Sequence, residues 1–564
     1  MNPDLTNLRT KLLFVQLALV LGVCSFVFFF GLGSFGLVGT DEPRYAQIGR
    51  EMLARHDWIV PTLNGTPWLE KPVLLYWQEM VSYKIFGVED WAARVPAAKF
   101  ATLLVLAVFF FMRRFRPGSE LDAALITASC AGMIGFARGA STDMQLSAPF
   151  CVAMLAWWTW HETGKKLWLA AFYVLLGVGA LAKGPISPAM AVLIVAAYAA
   201  MRRDGKIFVR SLWLPGFALF FAVVLPWYIA VQIRVPTFLR VFFLEHNLER
   251  FGTNLYQHSQ PFWYYIPVFI LATVPWVVFT IPALFETTRA FWRNFGKDAE
   301  DLAATPERDW LSLFLALWTL IPIVFFSFSR SKLPGYILPA IPAATMLTAA
   351  YLHRTHKIDR LKMMLHSLVC GGLVAGALLA PWIMMKQPMP ENSRTFTIIF
   401  AGVMATFVLL LVRRGGLKVL HFATLVPLIL ALAFLLKPSS SAIDDATSAR
   451  TVDAQLTHFG VTSGHIAVLN VRRDVEYGLN FYRNQPISRY ERDGVPPQAH
   501  VVIAKQGSEA AVQAIVGDSR KVSPLGTFTP QHLDFYRISA VEIPRNQIMQ
   551  NHSHNVILRN AAWR

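Results

Sequence analysis

The sequence predicts a polytopic α-helical membrane protein of about thirteen transmembrane helices, with interfacial helices in the first outer loop and a small C-terminal α/β domain. Three observations carry that expectation. The 564 residues have a mean hydropathy of +0.43, only 15% charged residues and 17 Trp, which is the balance of a membrane protein rather than a soluble domain. Apolar runs of about 20 residues, the length a bilayer-crossing helix needs, recur along the chain. After Leu436 the composition turns ordinary and soluble.

The candidate spans fall near 12–32, 95–112, 120–138, 144–160, 167–182, 185–201, 212–233, 262–285, 309–328, 334–352, 364–385, 395–412 and 419–436. No small-residue cleavage site follows the first of them, so it reads as a retained helix and not a signal peptide. Residues 1–436 therefore form the membrane domain, with 39–94 as its first large loop. Lys437-Pro438-Ser439-Ser440-Ser441 reads as a linker to a domain over 437–564. There, His465–Val471 and His500–Ala504 have the pattern of buried strands, Phe528–Ile538 can hold another, and Asp445–His458 is helical in period. Cys24, Cys130, Cys151 and Cys370 all lie within spans, without metal-ligand or disulfide spacing, and read as small buried hydrophobes.

The net charge is +17. Basic loops flanking spans explain it better than nucleic-acid binding, and no nucleic-acid partner is expected. Taking alternate connections as inside, that side carries more than twice as many Lys and Arg as the short connections opposite. The bias places the N-terminus in the cytoplasm and, with an odd number of spans, the C-terminal domain outside. No internal repeat of the transporter kind is evident.

The first loop is not structureless. In Asp41–Arg55, Tyr45, Ile48, Met52 and Leu53 form an apolar stripe at helical spacing, and Pro43 sits where a helix start tolerates it. Pro72 opens a second helical stretch through Phe86. Both read as helices lying in the membrane interface. The arrangement sets Asp41, Glu42, Glu70 and Lys71 at helix N-termini, where anions and phosphates are favoured.

Further chemistry-bearing residues gather at the same face. Asp143, after Ser141-Thr142, stands at a span boundary, where a carboxylate needs solvation or a partner. Capping a helix and pairing with Arg138 are both open readings. His246 and Arg250, in Glu245–Arg250, would share a helix face at i, i+4. The nearby Phe262-Trp263-Tyr264-Tyr265 reads as an interfacial aromatic belt. Ser329-Arg330-Ser331-Lys332-Leu333-Pro334-Gly335-Tyr336 offers cations, hydroxyls and amides suited to an anion cradle. Lys183-Gly184-Pro185 reads as a turn between helices. No P-loop, HExxH, GxSxG or dinucleotide fingerprint is present. A transporter or flippase would place its ionisable groups near mid-membrane, whereas these cluster at a boundary.

These motifs together resemble the GT-C glycosyltransferases that use lipid-phosphate sugars. The carriers are Asp41-Glu42-Pro43-Arg44-Tyr45 after the first span, Glu70-Lys71-Pro72, Thr142-Asp143, and Ser331-Lys332-Leu333-Pro334-Gly335-Tyr336-Ile337-Leu338-Pro339. Within that group the chain is most similar to bacterial aminoarabinose transferases acting on lipid A, relatives of protein O-mannosyltransferases. The resemblance covers about the first 350 residues well. It implies an enzyme of the bacterial inner membrane that takes an undecaprenyl-phosphate-linked sugar at the periplasmic face and inverts the anomeric carbon. Carried over by motif, Asp41 and Asp143 would be catalytic carboxylates. Lys71, Arg250 and Lys332 would bind the donor phosphate, and Glu42, Arg44, Tyr45, Glu70, His246 and Tyr336 would line the cavity. The resemblance makes no cofactor certain. A divalent metal is compatible with the carboxylates and His246, but no spacing demands one. Lipid A is the acceptor the resemblance favours. Another sugar such as mannose, or a protein or glycan acceptor, is the same-fold alternative.

Overall fold

The computed structural model describes residues 3–242, 260–294, 309–355 and 359–539. All the apolar runs expected to span are helical. Among the described residues, nine helices are long and apolar enough to cross a membrane. The count is ten if the bent pair Glu120–Ser129 and Ala131–Ala137 makes one span. The other runs are helical but less simple. Thr142–Thr163 is more polar, Ile186–Met201 is short, and 262–285 is divided between Phe262–Ala272 and Val277–Asn294.

The chain separates into two units. One comprises residues 1–35 and 45–441, the other 36–44 and 442–564. In the first unit, helix Thr142–Thr163 is buried from Met144 to Trp160 apart from one half-exposed position, although Gln145, Ser147 and Thr159 lie along it. A helix enclosed by neighbours on all sides is not limited to a lipid-facing apolar sequence. That enclosure fixes the helix whose first turn carries Asp143. The broken segments repair one another: Ala131 N donates to Val274 O (2.8 Å), supplying a backbone partner where the 120–137 helix is interrupted. A Cβ on Gly132 would stand 2.8 Å from that of Ala272, so glycine permits the close approach. Irregular backbone at membrane depth requires partners of this kind.

The first span ends in a π-helical turn, Ser25–Phe29. Its free carbonyls are taken by two arginines. Arg138 donates to the carbonyls of Val27, Phe30 and Gly31, and the fully buried Arg94 donates to those of Leu32 and Phe35. Arg138 is therefore occupied with helix termination, and of the two open readings for Asp143 the pairing with Arg138 is not the one seen.

The first loop contains the two expected helices, Asp41–Ala54 and Leu74–Phe86. The second begins two residues beyond Pro72, which leaves Glu70 and Lys71 in the bend preceding it. Tyr45, Ile48 and Met52 are buried along the first helix, while Leu53 is partly exposed. Between the helices lies a small hairpin, Thr62–Leu63 with Thr66–Pro67. Asn64 and Gly65 both adopt positive φ (54° and 76°), the conformation a two-residue hairpin turn requires. Glu51 holds this turn, accepting from Thr62 Oγ1 (2.7 Å) and Asn64 N (2.7 Å). Trp227 Nε1 donates to Ile59 O (3.0 Å) and Arg234 pairs with Asp57 (3.0 Å), anchoring the loop to helix Leu214–Arg234.

The second unit is α/β. Its five-stranded sheet runs Ser488–Arg489, His465–Leu469, His500–Lys505, Leu533–Ile538, Val522–Phe528, parallel over the first three strands and antiparallel over the rest. Side chains alternate across it: Val501 and Ile503 join one core with Val468 and Phe535, and Val502 and Ala504 join another with Leu469 and Tyr536. The helical stretch expected over 445–458 consists of two helices, Ser440–Thr447 and Ala449–His458.

Candidate functional site

In the membrane unit the chemistry centres on Asp143. Ser141 is the N-cap of its helix, accepting from Asp143 N through its side chain, so the capping role belongs to the serine and the Asp143 carboxylate is not needed for it. That carboxylate meets Lys183, with Nζ to Oδ1 at 2.6 Å. Both side chains are mostly enclosed, 18% and 15% exposed respectively. Lys183 is the last residue of helix Lys166–Lys183, where the C-terminal end of the helix dipole favours a cation. Gly184 follows with φ of 74° and lets the chain turn at once into the next helix.

Tyr336 completes the cluster: its ring lies 5.5 Å from the Lys183 ammonium, a cation–π contact. It stands on the 3₁₀ turn Pro334–Ala340, beside Gly335. A Cβ added at Gly335 would fall 2.2 Å from Asp143 Oδ1. Gly335→Ala is accordingly expected to displace the carboxylate and to lower turnover by ~10²-fold. Steady-state kinetics on membranes with matched expression would check it, and unchanged turnover would remove the pair from the site.

The connection before Tyr336 was expected to form an anion cradle; there Lys332 and Ser329 are turned onto the backbone, while Arg330 is exposed. Lys332 is buried, and its ammonium donates to the carbonyls of Gln260 and Ser329. Ser329 Oγ donates to Ser331 O (2.9 Å), and Tyr265 donates to Leu333 O (3.2 Å). With two of its three N–H groups on carbonyls, Lys332 shapes the loop that presents Gly335 and Tyr336.

Asp41, Glu42 and Arg44 fall in the second unit, as part of segment 36–44. Gly36 N donates to Asp444 Oδ1 (2.8 Å) and Leu37 N donates to the Tyr482 hydroxyl (2.8 Å). Val38 pairs with Ser448 as an isolated antiparallel bridge. The buried Glu42 accepts from Val38 N (2.8 Å), closing the start of helix Asp41–Ala54. Arg44 pairs with Asp41 (2.5 Å) and lies over the Tyr477 ring (5.6 Å). Asp41 remains half exposed. Glu42 thus organises the turn, whereas Asp41 presents an accessible carboxylate.

Tyr45 is buried against Tyr76, with ring centroids 6.1 Å apart, in the membrane unit. Glu70 and Lys71 are partly exposed in the same unit. His246 and Arg250 lie outside the described residues. The sequence reading missed Lys183 as a site residue, taking Lys183-Gly184-Pro185 for a turn; a cation at the end of an apolar span was the available signal. Among the described residues no three His, Cys, Asp or Glu side chains are grouped as a metal-holding set, and no step below is routed through a divalent ion.

A family model for dolichyl-phosphate-mannose-protein mannosyltransferases matches residues 14–242. The undecaprenyl phosphate-α-4-amino-4-deoxy-L-arabinose arabinosyl transferase of Edwardsiella ictaluri is 32% identical, over 62% of each chain. That alignment spans less than two thirds of the relative's length. The Enterobacter enzyme of the same name is 30% identical over 70% of each. The crystal structure of ArnT from Cupriavidus metallidurans bound to undecaprenyl phosphate superposes with a TM-score of 0.72 at 22% identity. It covers 92% of this chain and 97% of that one, which establishes a shared fold. On these alignments the chain belongs to the family of undecaprenyl phosphate-aminoarabinose arabinosyl transferases.

Proposed function

We propose that the protein is an inverting glycosyltransferase that moves 4-amino-4-deoxy-L-arabinose from undecaprenyl phosphate to lipid A at the periplasmic face of the inner membrane. The similarity to relatives of that name, at 30–32% identity over most of the chain, carries the reading. The Asp143–Lys183–Tyr336 cluster, on elements buried within the membrane unit, supports it from the chemistry.

In this reading the bond from the anomeric carbon to the phosphate oxygen breaks and its electron pair leaves with undecaprenyl phosphate. The acceptor oxygen bonds to the opposite face of that carbon, which inverts it. Charge develops on the departing phosphate, and preplaced cations stabilise it without solvent reorganisation. Lys71 and Arg250 supply that charge, and Lys183 joins them from its place beside Asp143. Asp41 is the principal carboxylate: it takes a hydroxyl acceptor's proton or, for an already anionic lipid A phosphate, orients the nucleophile. Asp143 holds Lys183 in position, and the Tyr336 ring lies beside that ammonium. Lys332 acts through the loop it braces.

The test is mass spectrometry of lipid A from cells that make the aminoarabinose donor, with and without this protein. A protein-dependent addition of pentosamine mass is expected, and resistance to polymyxin should follow it. Unchanged lipid A alongside a new hexose on protein would replace this reading with the protein-glycosylating one that the matched family model describes.

A further inference from the structure

A narrow cavity of about 160 Å³ lies among helices Lys166–Lys183, Ile186–Met201, Gly205–Ser211 and Leu214–Arg234. Phe172 and Leu176 contribute to it from eleven and seven residues before Lys183, about 10–16 Å along the axis at 1.5 Å per residue, and Pro188 from the start of the next helix.

Its wall is carbon. The polar groups among the lining side chains are the Tyr173 and Ser211 hydroxyls, and both are spent. Tyr173 donates to Ser211 O (2.8 Å), while Ser211 donates to Ile207 O (2.9 Å) and accepts from Trp157 Nε1 (2.9 Å). A wall with no free donor or acceptor gives water nothing to bind. The cavity also opens sideways: Val192, Leu212, Phe217 and Phe221 line it yet stay about half exposed, and the last two stand on helix Leu214–Arg234, which is long and apolar enough to face lipid.

The rim is basic. Lys206 and Arg210 are exposed one turn apart on the short helix whose Phe208 forms part of the wall. Lys165 and Lys166 are exposed at the start of the neighbouring helix, and the Lys166 ammonium lies over the rings of Trp213 (5.3 Å) and Trp160 (5.8 Å). The local acids are fewer. Asp204 caps the short helix through Lys206 N (3.0 Å), leaving Glu162.

We propose that this cavity is a binding site for an anionic glycerophospholipid of the surrounding leaflet. One acyl chain fills the apolar slot and the phosphate headgroup rests against Lys206, Arg210 and Lys166. Juxtamembrane cations of this kind attract anionic lipid headgroups. The charge complementarity selects the headgroup, and the lateral opening admits the chain from the bilayer. The lipid would wedge the helix that ends in Lys183 against helix Leu214–Arg234. There the fit is already tight: a Cβ on Gly216 would meet the Tyr173 ring at 2.2 Å, so glycine is needed at that crossing.

The test uses the full-length protein, purified in detergent and delipidated. Dioleoylphosphatidylglycerol or dioleoylphosphatidylcholine is titrated in mixed micelles, with thermal unfolding and native mass spectrometry as readouts. Phosphatidylglycerol is expected to be retained at about one molecule per chain and to raise Tm saturably, by roughly 2–5 °C more than phosphatidylcholine. Lys206→Ala with Arg210→Ala should abolish that difference, and Ala191→Phe, which fills the slot, should abolish retention of either lipid. If the phenylalanine variant fails to fold, the double charge variant decides alone. Equal shifts from the two lipids, or a headgroup preference that survives the double variant, would overturn the proposal. So would retention of undecaprenyl phosphate in place of phosphatidylglycerol.

Discussion

Asp41→Asn is expected to cut sugar transfer by ~10²–10⁴-fold, the contribution of a positioned acid–base group, while folding and membrane insertion stay near normal. The two halves of that expectation have separate physical origins. Asp41 is half exposed, so its pair with Arg44 resembles a surface ion pair, which is worth under ~1 kcal/mol to stability. The turn that carries it is closed by Glu42 and by the bonds of Gly36 and Leu37, none of which the substitution touches. Transfer assays on purified variant, with Tm recorded in parallel, separate the effects. Near-wild-type transfer by the asparagine enzyme would remove Asp41 from the chemistry.

Lys183→Met should have the next largest effect, and there stability and activity move together. Asp143 is mostly enclosed, and losing the cation that pairs with it among the described residues strands a carboxylate, at a cost of about 3–5 kcal/mol for a buried pair. Removing a cation that stabilises developing phosphate charge costs a further ~10²–10³-fold in turnover. The double variant Asp143→Asn/Lys183→Met distinguishes scaffold from chemistry. It should recover most of the lost Tm, because no charge is left unpaired, while transfer stays low. Recovery of transfer along with Tm would make the pair purely structural.

The membrane helices were legible because apolar runs of about 20 residues have few alternatives. Even the interrupted segments at 120–138 and 262–285 could be placed from their apolar character, although how the breaks repair each other depends on backbone contacts that no pattern encodes. The hairpin at Asn64-Gly65 was signalled by the most specific of short turn pairs and was passed over, because its strands are only two residues long. The α/β character of the C-terminal unit followed from buried-strand runs, whereas Val522–Phe528 went unread because its burial does not alternate cleanly. At the site, the residue types could be read and their partners could not. Asp143 had Arg138 nearby in sequence, yet Arg138 closes the end of the first span and Lys183, forty residues on, makes the pair. Likewise Lys332 reads as a free cation in the sequence, while the fold turns it inward onto carbonyls.

Segment 36–44 has a consequence for the order in which the protein is made. Gly36 leaves the ribosome 408 residues before the aspartate that accepts its N–H, and Leu37 precedes the Tyr482 hydroxyl by 445. At typical synthesis rates of about 5–20 residues per second, those partners arrive roughly 20–90 s later. The first span and its loop are thus made before two of the bonds on segment 36–44 can form, and a stretch more than 400 residues later supplies them. A nascent chain halted near residue 441 would carry the local bonds of Glu42 and Arg44 but neither of the two that come from Asp444 and Tyr482.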